Sequence, residues 1–389
     1  MQKRCGLAMA SLLLLGMSGT SQALDWSGYW RAGPGLTGHS TNRACYALNG
    51  GVSGMKYRLG NECDIFGEFM LSQDYKKDGL EYKVNLMTSH YTGNTDTDGK
   101  GLGIEQLWAE VKGIDLLPEA TFWIGKERGR RGDVHIVDTF FTEMKGVGAG
   151  VKGISALGGK LGVAYYKNDD TPDKPGHRIN VELLSLPANE GGALNVFTTA
   201  TKGQFSGGTT GAGVAIRHDQ ENLLGTGLTN NLWVQYAQGS AGLNSNFGDL
   251  TAGSNAKGWR VVESFNGQIG RVGGQAMVLF AKETNKFGQD VTSFSVGGRV
   301  SYGISRNFKF ITELGHSQYK PEGGATARLD KLTIAPTLSV DNTFWSRPEL
   351  RFYVTMARWN KAAGNVTGNP ALANETSGTS AGAQVEWWF

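Results

Sequence analysis

The segment AQVEWWF, from Ala383 to Phe389, ends the chain with a strict alternation of two kinds of side chain. One face of an extended strand would carry Ala383, Val385, Trp387 and Phe389, and the other would carry Gln384, Glu386 and Trp388. Soluble domains seldom end on an apolar strand, because their termini are usually frayed and polar. Apolar residues facing out and polar residues facing in, with aromatic residues at the boundary, are typical of an outer-membrane strand. The segment therefore predicts a transmembrane β-barrel.

The other end of the chain has the pattern of a secretory signal peptide. Lys3 and Arg4 precede an apolar stretch, Leu7 to Met17, and Ser21-Gln22-Ala23 supplies a small-x-small cleavage site. A single membrane anchor is the alternative, but the apolar stretch is too short to span a bilayer. We expect residues 1–23 to be removed, which leaves residues 24–389, about 366 in number, as one barrel domain.

The composition favours strands and turns over helices. Glycine is abundant, at 58 residues, while proline is scarce, at 9. Beyond the signal segment, Cys45 and Cys63 form an even pair in an oxidising compartment, so we expect a disulfide; two free thiols are the alternative. The formal net charge of +3 includes two cations of the signal segment, so nothing indicates a nucleic-acid partner.

Alternation with a period of two recurs along the whole chain. It is clearest in Asp64 to Leu71, Glu81 to Met87 and Glu349 to Met356, and similar segments lie at Leu161–Lys167, Leu232–Ala237, Met277–Ala281 and Phe294–Tyr302. In a soluble sandwich the apolar face would point inward, whereas in a membrane barrel it points outward to lipid. At about 20 residues for a strand and its connection, we expect an antiparallel barrel of roughly 18 strands.

Long polar, glycine-rich stretches separate some of these strands, while other connections are tight. The long stretches are Thr92 to Gly103, Gly203 to Gly213, Ala241 to Gly258 and Ala362 to Ala381. Barrels with tight turns at one end and long loops at the other show this arrangement. No second domain and no fixed-period repeat is indicated.

Motifs of enzymes, nucleotide sites and metal sites are missing from the sequence. It contains no G-x-S-x-G, H-E-x-x-H, G-x-x-x-x-G-K-[ST] or C-x-x-C. The histidines are scattered, and a lone histidine among loops is more often solvated than a ligand: His39, His90, His135, His177, His218, His316. We expect no catalytic residues, no cofactor and no metal.

Three clusters of charged and aromatic residues stand out instead. The first is Tyr29-Trp30-Arg31, and the second runs from Lys56 to Cys63 and on to Phe66 and Glu68. The third, from Lys126 to Asp138, is too charged and too interrupted by glycine for a lipid-facing strand. A loop of this kind can fold into a wide barrel and narrow it, so we expect an inward-folded constriction loop.

These residues resemble the maltoporin family of sugar porins from the Gram-negative outer membrane. The shared motifs keep their order along the chain, and the middle, about 165 to 330, is similar only loosely. They are Gly28-Tyr29-x-Arg31, Tyr57 to Cys63 with Cys45 upstream, Trp123-x-Gly125-Lys126, Asp133-Val134-His135-x-x-Asp138, Gly148-Ala149-Gly150, Trp345-Ser346-Arg347-Pro348 and Gly382 to Glu386.

The resemblance implies an 18-stranded barrel that forms homotrimers in the outer membrane and conducts maltose and maltodextrins. Family members stack sugar rings on a row of aromatic residues, which falls here on Tyr29, Phe66, Trp345 and Trp388. Charged residues beside the row exchange hydrogen bonds with sugar hydroxyls, and these map to Arg31, Arg58, Glu68, Arg131, Asp133 and Asp138. Without the resemblance, the same residues could be packing aromatics and a charge-balanced inner wall.

The chain also departs from the family pattern. An arginine of the family has Ile104 or Glu105 in its place, and the constriction tyrosine appears as Phe140. One family aromatic is represented only by Leu228 or Thr229, and the Thr92–Gly103 loop has no tryptophan to lend to a neighbouring pore. These losses leave room for sucrose, β-glucosides or mixed solutes.

Three functional hypotheses remain after the resemblance. The first is a passive sugar-selective porin, and the second is a general diffusion porin on the same barrel. The third, an outer-membrane hydrolase or adhesin, lacks a visible triad or passenger domain. For the first two, the expected partners are sugar solutes, outer-membrane lipid and two further copies of the chain. The resemblance adds a periplasmic sugar-binding protein, and external loops of this kind can serve phages as receptors.

Overall fold

A computed structural model describes residues 24–38, 40, 43–48, 55–93, 101–168 and 173–389. The signal-peptide prediction for residues 1–23 lies outside the described residues, and so do His39 and most of the Thr92–Gly103 stretch. Within the described part, no helix is long and apolar enough to cross a bilayer.

The described residues form nineteen strands and four short 3₁₀ helices. The strands are β1 (Asp25–Ala32), β2 (Gly35–Thr37), β3 (Ile65–Lys77), β4 (Leu80–Thr92), β5 (Gly103–Lys112), β6 (Thr121–Val134), β7 (Thr139–Ala156), β8 (Gly159–Asn168), β9 (Gly176–Asn189), β10 (Gly192–Gly203), β11 (Thr210–Gln220), β12 (Thr229–Gly239), β13 (Lys257–Ile269), β14 (Val272–Thr284), β15 (Asp290–Ser305), β16 (Phe308–Pro321), β17 (Ala327–Ser339), β18 (Glu349–Trp359) and β19 (Ser377–Trp388). The 3₁₀ helices are His135–Val137, Leu223–Gly225, Lys361–Ala363 and Pro370–Leu372.

The strands pair antiparallel in chain order and close into a barrel where β1 meets β19. β1 pairs with residues 385–388 of β19, and β2 continues along the same strand at residues 380–382. Gly33 and Pro34 interrupt this position, since proline has no N–H for the ladder. Counting β1 and β2 as one interrupted wall strand gives 18 positions, which confirms the expected barrel.

Polar side chains point into the barrel and apolar side chains point out of it. Arg178, Arg299 and Arg351 are among the largest fully buried side chains. Ile124 and Leu314, which are 66% and 58% exposed, belong to the apolar outer surface. The polar and apolar faces are therefore reversed relative to those of a soluble sandwich. The alternation expected at Ala383–Phe389 is confirmed, because Gln384 and Glu386 are buried while Trp387 and Phe389 are exposed.

One end of the barrel has tight turns and the other has longer connections. Two-residue turns join five hairpins, at 78–79, 157–158, 190–191, 270–271 and 306–307. Asp78 and Gly79 both have positive φ, as a type I′ hairpin turn requires. We refer to these as the turn end and the loop end. The Gly203–Gly213 stretch is shorter than expected, because β11 already begins at Thr210.

The third charged cluster narrows the barrel as expected, but it does so as a strand hairpin and not as a loop. β6 continues to Val134 and pairs with β7 up to Thr139. At the tip of this constriction hairpin, Val134, Ile136 and Phe141 are fully buried. They pack against the opposite wall in a cluster with residues of β12–β14: Trp233, Val262, Met277, Leu279, Ala281. Apolar burial therefore holds the charged hairpin across the lumen.

A second segment between β2 and β3 also lies inside the barrel. Leu59 packs on Ile311, Ala335 and Tyr353 of the wall. A Cβ added to Gly315 would lie 2.1 Å from the Tyr57 ring, so glycine is required for the ring to lie against β16. The expected disulfide between Cys45 and Cys63 is present in this segment, which carries the second charged cluster.

Candidate functional site

Four aromatic side chains form a continuous row down the inside of the barrel. Phe66 on β3 lies 6.0 Å from Tyr29 on β1, Tyr29 lies 6.5 Å from Trp388 on β19, and Trp388 lies 6.3 Å from Trp345, all measured between ring centroids. Tyr29 and Trp388 are register partners across the closing strand pair, so their side chains share the inner face. Trp345 belongs to the connection between β17 and β18 at the turn end. These are the four residues expected for the aromatic row.

The row forms one side of a cavity of about 450 Å³. Trp345 lies beyond the cavity, but the structure brings the other predicted site residues together around it. Its lining includes Tyr29, Arg31, Arg58, Phe66, Glu68, Arg131, Asp133, Asp138, Phe140 and Trp388.

Arg31 is held by carboxylates on one side of the row. Its guanidinium donates to both oxygens of Asp64, at 2.8 and 2.9 Å, and lies 3.1 Å from Glu62. The same group lies 4.9 Å from the centroid of the Phe66 ring. Asp138 approaches Arg31 at 3.6 Å from a left-handed backbone position at the hairpin tip. Bidentate pairing fixes the guanidinium plane against the aromatic ring.

Arg58 connects the disulfide segment to the row. Its Nε donates to Glu62 at 2.7 Å, its Nη2 lies 3.2 Å from Glu386, and it also donates to the Tyr29 hydroxyl. Burial raises the pKa of the Glu62 carboxyl, but Arg58 and Arg31 outweigh this and lower the pKa to about 2. Glu62 is therefore ionised at neutral pH and keeps both guanidinium groups in place.

A second charged group surrounds Glu68, which is the register partner of Tyr29 in the β1–β3 ladder. Arg128 donates to one oxygen of Glu68 at 2.8 Å, and Arg131 donates to the other at 3.3 Å. The Arg131 guanidinium lies 4.2 Å from the centroid of the Phe140 ring. Arg131 and Asp133 are exposed to the lumen, so their polar atoms are accessible to a solute.

His135 is a central residue that the sequence did not identify. Its Nδ1 is 3.2 Å from Arg58 and its Nε2 is 3.4 Å from Arg347, and its ring contacts Trp345 and Trp388 edge-on. Burial lowers the pKa of His135 well below its usual value, and nearby arginines lower it further. The expectation that the histidines are solvated is therefore wrong at this position.

Six further cavity residues were also missed by sequence reasoning: Ser89, Tyr91, Glu105, Arg128, Glu143 and Lys145. Tyr91 on β4 is the register partner of Phe66 in the β3–β4 ladder, and Arg128 donates hydrogen bonds to Glu105 and to Glu68. The alternation of β4 could have placed Tyr91 on the inner face, since it pairs with an inward residue. The alternation does not give the direction of Glu105 or Arg128, because a β-bulge interrupts β5 at Glu105 and another interrupts β6 next to Arg128.

The architecture defines the class of protein: an antiparallel barrel with an apolar outside, a charged inside and a hairpin folded into the lumen is an outer-membrane porin. The profile of the LamB porin family matches residues 24–389. The chain belongs to the LamB porin family, and it is a multi-pass β-barrel of the Gram-negative outer membrane.

Comparisons with individual proteins agree with this assignment. A protein named maltoporin from Hahella chejuensis (strain KCTC 2396) is 29% identical over 391 aligned residues, which cover 95% of this chain and 93% of that protein. Among solved structures, OccAB1 of Acinetobacter baumannii superposes with a TM-score of 0.53 at 9% identity, covering 96% of this chain and 98% of that one. The outer membrane protein OpdK of Pseudomonas aeruginosa gives 0.51 at 10% identity, covering 94% and 99%. These structures show a shared fold.

Proposed function

We propose that the protein is a passive channel for sugars, with maltose and maltodextrins as its preferred solutes. The contiguous row of Phe66, Tyr29, Trp388 and Trp345 carries this proposal. The maltoporin from Hahella chejuensis supports the same solute class by its name. Transport is driven by the concentration gradient alone, without a nucleotide, a cofactor or a covalent step.

The chemistry of the cavity suits a chain of hexoses. The apolar face of a sugar ring packs on an aromatic face, and ring spacings of 6.0 to 6.5 Å offer successive places to stack. Hydroxyl groups on the ring edge exchange charge-assisted hydrogen bonds with the flanking residues, which are Arg31, Arg58, Glu68, Arg131, Asp133 and Asp138. Several weak, similar sites in a row allow a solute to enter without being trapped.

Phe140 and the constriction hairpin set the width of the path. Phe140 lies at the cavity wall with its ring against the Arg131 guanidinium. Its side chain therefore offers a solute an apolar ring without a hydroxyl group. Loss of that hydroxyl is one reason to keep a second candidate function. A general diffusion porin would need fewer fixed polar contacts than a maltodextrin channel, and sucrose or β-glucosides are the alternative sugar solutes.

The proposal includes the assembly and processing of the chain. We propose removal of residues 1–23, as the charged and apolar pattern before Leu24 indicates. We also propose a homotrimer in outer-membrane lipid, as the family resemblance implies. A periplasmic sugar-binding protein at the turn end and phages at the external loops are further proposed partners.

Uptake into proteoliposomes separates the candidate functions. Reconstituted protein should take up labelled maltotriose at a rate that saturates with concentration and is reduced by unlabelled maltohexaose. A rate that rises linearly, and that depends on solute size alone, would indicate general diffusion. Saturation with sucrose or a β-glucoside and not with maltotriose would change the assigned solute.

A further inference from the structure

We propose that the cavity contains an outer sugar subsite formed by Tyr91, Glu105 and Arg128, which continues the aromatic row from Phe66 on β3 to the neighbouring strand β4. The inference rests on the proposed function, because it assigns three more residues to the same solute path. All three line the cavity that holds Phe66, Tyr29 and Trp388.

Tyr91 supplies the aromatic surface of this subsite. It is the register partner of Phe66 in the β3–β4 ladder, so both rings project from the inner face at the same level. β3 begins one residue before Phe66 and β4 ends one residue after Tyr91, so this pair of rings forms the loop end of the row. The side chain is 55% exposed, so a ring of a solute has access to it.

Two β-bulges direct the charged partners into the cavity that Tyr91 also lines. On β5, Met87 pairs with Gln106 and Thr88 pairs with Ile104, which leaves Glu105 as the extra residue. In the constriction hairpin, Arg128 pairs with Lys145 and Arg130 pairs with Met144, so Gly129 is the extra residue. Bulges redirect neighbouring side chains, and they are over-represented next to functional sites. Here they bring an acid from β5 and a base from β6 into contact.

Arg128 joins this pair to the inner part of the site. One of its terminal nitrogens donates to Glu105 and the other donates to Glu68 at 2.8 Å, while Arg131 donates to the second oxygen of Glu68. Glu105, Arg128, Glu68 and Arg131 therefore form a line of alternating charge along the wall. This part of the cavity therefore has the same chemistry as the inner row: an aromatic face, Tyr91, together with a charged donor and a charged acceptor on the wall.

The length of the sugar provides the test. A disaccharide can occupy the inner row alone, whereas a longer oligomer spans the inner row and Tyr91 together. Current block should be measured for maltose and maltohexaose in planar bilayers containing the full-length wild type, Tyr91→Ala, Tyr91→Phe, Glu105→Gln and Arg128→Lys. Arg217→Gln is the matched control, because Arg217 is a lumen arginine in an ion pair with Asp219 but does not line the cavity.

We expect Tyr91→Ala and Glu105→Gln to weaken block by maltohexaose by about 2- to 10-fold while changing block by maltose by less than about twofold. Tyr91→Phe keeps the ring and should retain most of the affinity. Arg128→Lys keeps the charge but not the two-nitrogen bridge, so its loss for maltohexaose should lie between those of Tyr91→Phe and Tyr91→Ala. Arg217→Gln should match the wild type. Unchanged maltohexaose block in Tyr91→Ala and Glu105→Gln would overturn the outer subsite. Equal loss for both sugars would overturn it too, since that is the result expected if the residues only position the hairpin. Absence of block by either sugar in the wild type would instead refute the proposed function.

Discussion

The Tyr29 and Trp388 rings lie 6.5 Å apart and are inclined by only 21°, and they join the first and last strands of the barrel. Under the proposed function, a sugar ring moving along this wall passes from one aromatic face to the next without turning. Trp388→Ala should therefore weaken maltodextrin block of the single-channel current by about 2- to 10-fold.

The neighbouring residue Trp387 is the matched control for Trp388. It belongs to the same strand and has the same side chain, but it points outward and is 37% exposed on the outer face. Trp387→Ala should leave sugar block unchanged. Equal effects of the two substitutions would show that strand stability, and not a ring in the channel, accounts for the loss.

The disulfide should stabilise the segment that carries Arg58. Cys45 and Cys63 are 18 positions apart, and closing a loop of this length contributes about 3 kcal/mol on the chain-entropy model. Cys45→Ser with Cys63→Ser should lower the free energy of unfolding in denaturant and increase the noise of the open-channel current. The wild type treated with a reductant should behave in the same way, and a variant as stable and quiet as the oxidised wild type would contradict the prediction.

His135 should make the stability of the barrel depend on pH. The folded protein keeps this residue neutral among Arg58, Arg299 and Arg347, although Glu386 is also near, so its pKa lies below 6.5. An unfolded chain binds the proton as pH falls through about 6.5, which favours unfolding by about 1.4 kcal/mol per pH unit until the folded pKa is reached. The wild type should therefore lose more stability between pH 7 and pH 5 than His135→Gln does.

The half-buried residue His218 provides a comparison for the His135 substitution. Its Nε2 lies 2.9 Å from an oxygen of Asn189, away from the cavity. Thermal unfolding in detergent should show the wild-type pH dependence in His218→Gln and a shallower one in His135→Gln. Identical curves for all three proteins would contradict a buried neutral imidazole at position 135.

Gly315 should be intolerant of a methyl group. An alanine Cβ would lie 2.1 Å from the Tyr57 ring, which must then move away from β16 together with the segment that carries Arg58. Gly315→Ala should lower the free energy of unfolding by about 1 to 3 kcal/mol and alter the open-channel conductance. Gly253→Ala, where nothing lies within 4 Å of the added Cβ, should change neither property.

The sequence predicted the barrel because apolar and polar residues alternate with a period of two along many of its strands, as they do where one face meets lipid and the other faces the lumen. Trp387 and Trp388 differ in environment because they fall on opposite faces of β19, and the face of each can be counted from the sequence. The constriction could be predicted because Lys126 to Asp138 is too charged for lipid. Its form as a hairpin could not, since the buried tip depends on Trp233 and Val262 across the lumen.

The missed site residues depend on contacts that a local pattern does not contain. The ring nitrogens of His135 contact Arg58 and Arg347, which are 77 and 212 positions away in the chain. Glu105 faces the cavity because a bulge breaks the alternation of β5, so counting along the strand does not give its direction.

Titration of the wild-type single-channel current with maltose, maltotriose and maltohexaose tests the central claim most directly. If the aromatic row binds sugars, the current should fall saturably with each of them, and the half-blocking concentration should decrease as the oligomer becomes longer. A channel of intact conductance that none of these sugars blocks would contradict the assignment of Phe66, Tyr29, Trp388 and Trp345 as a sugar-binding row.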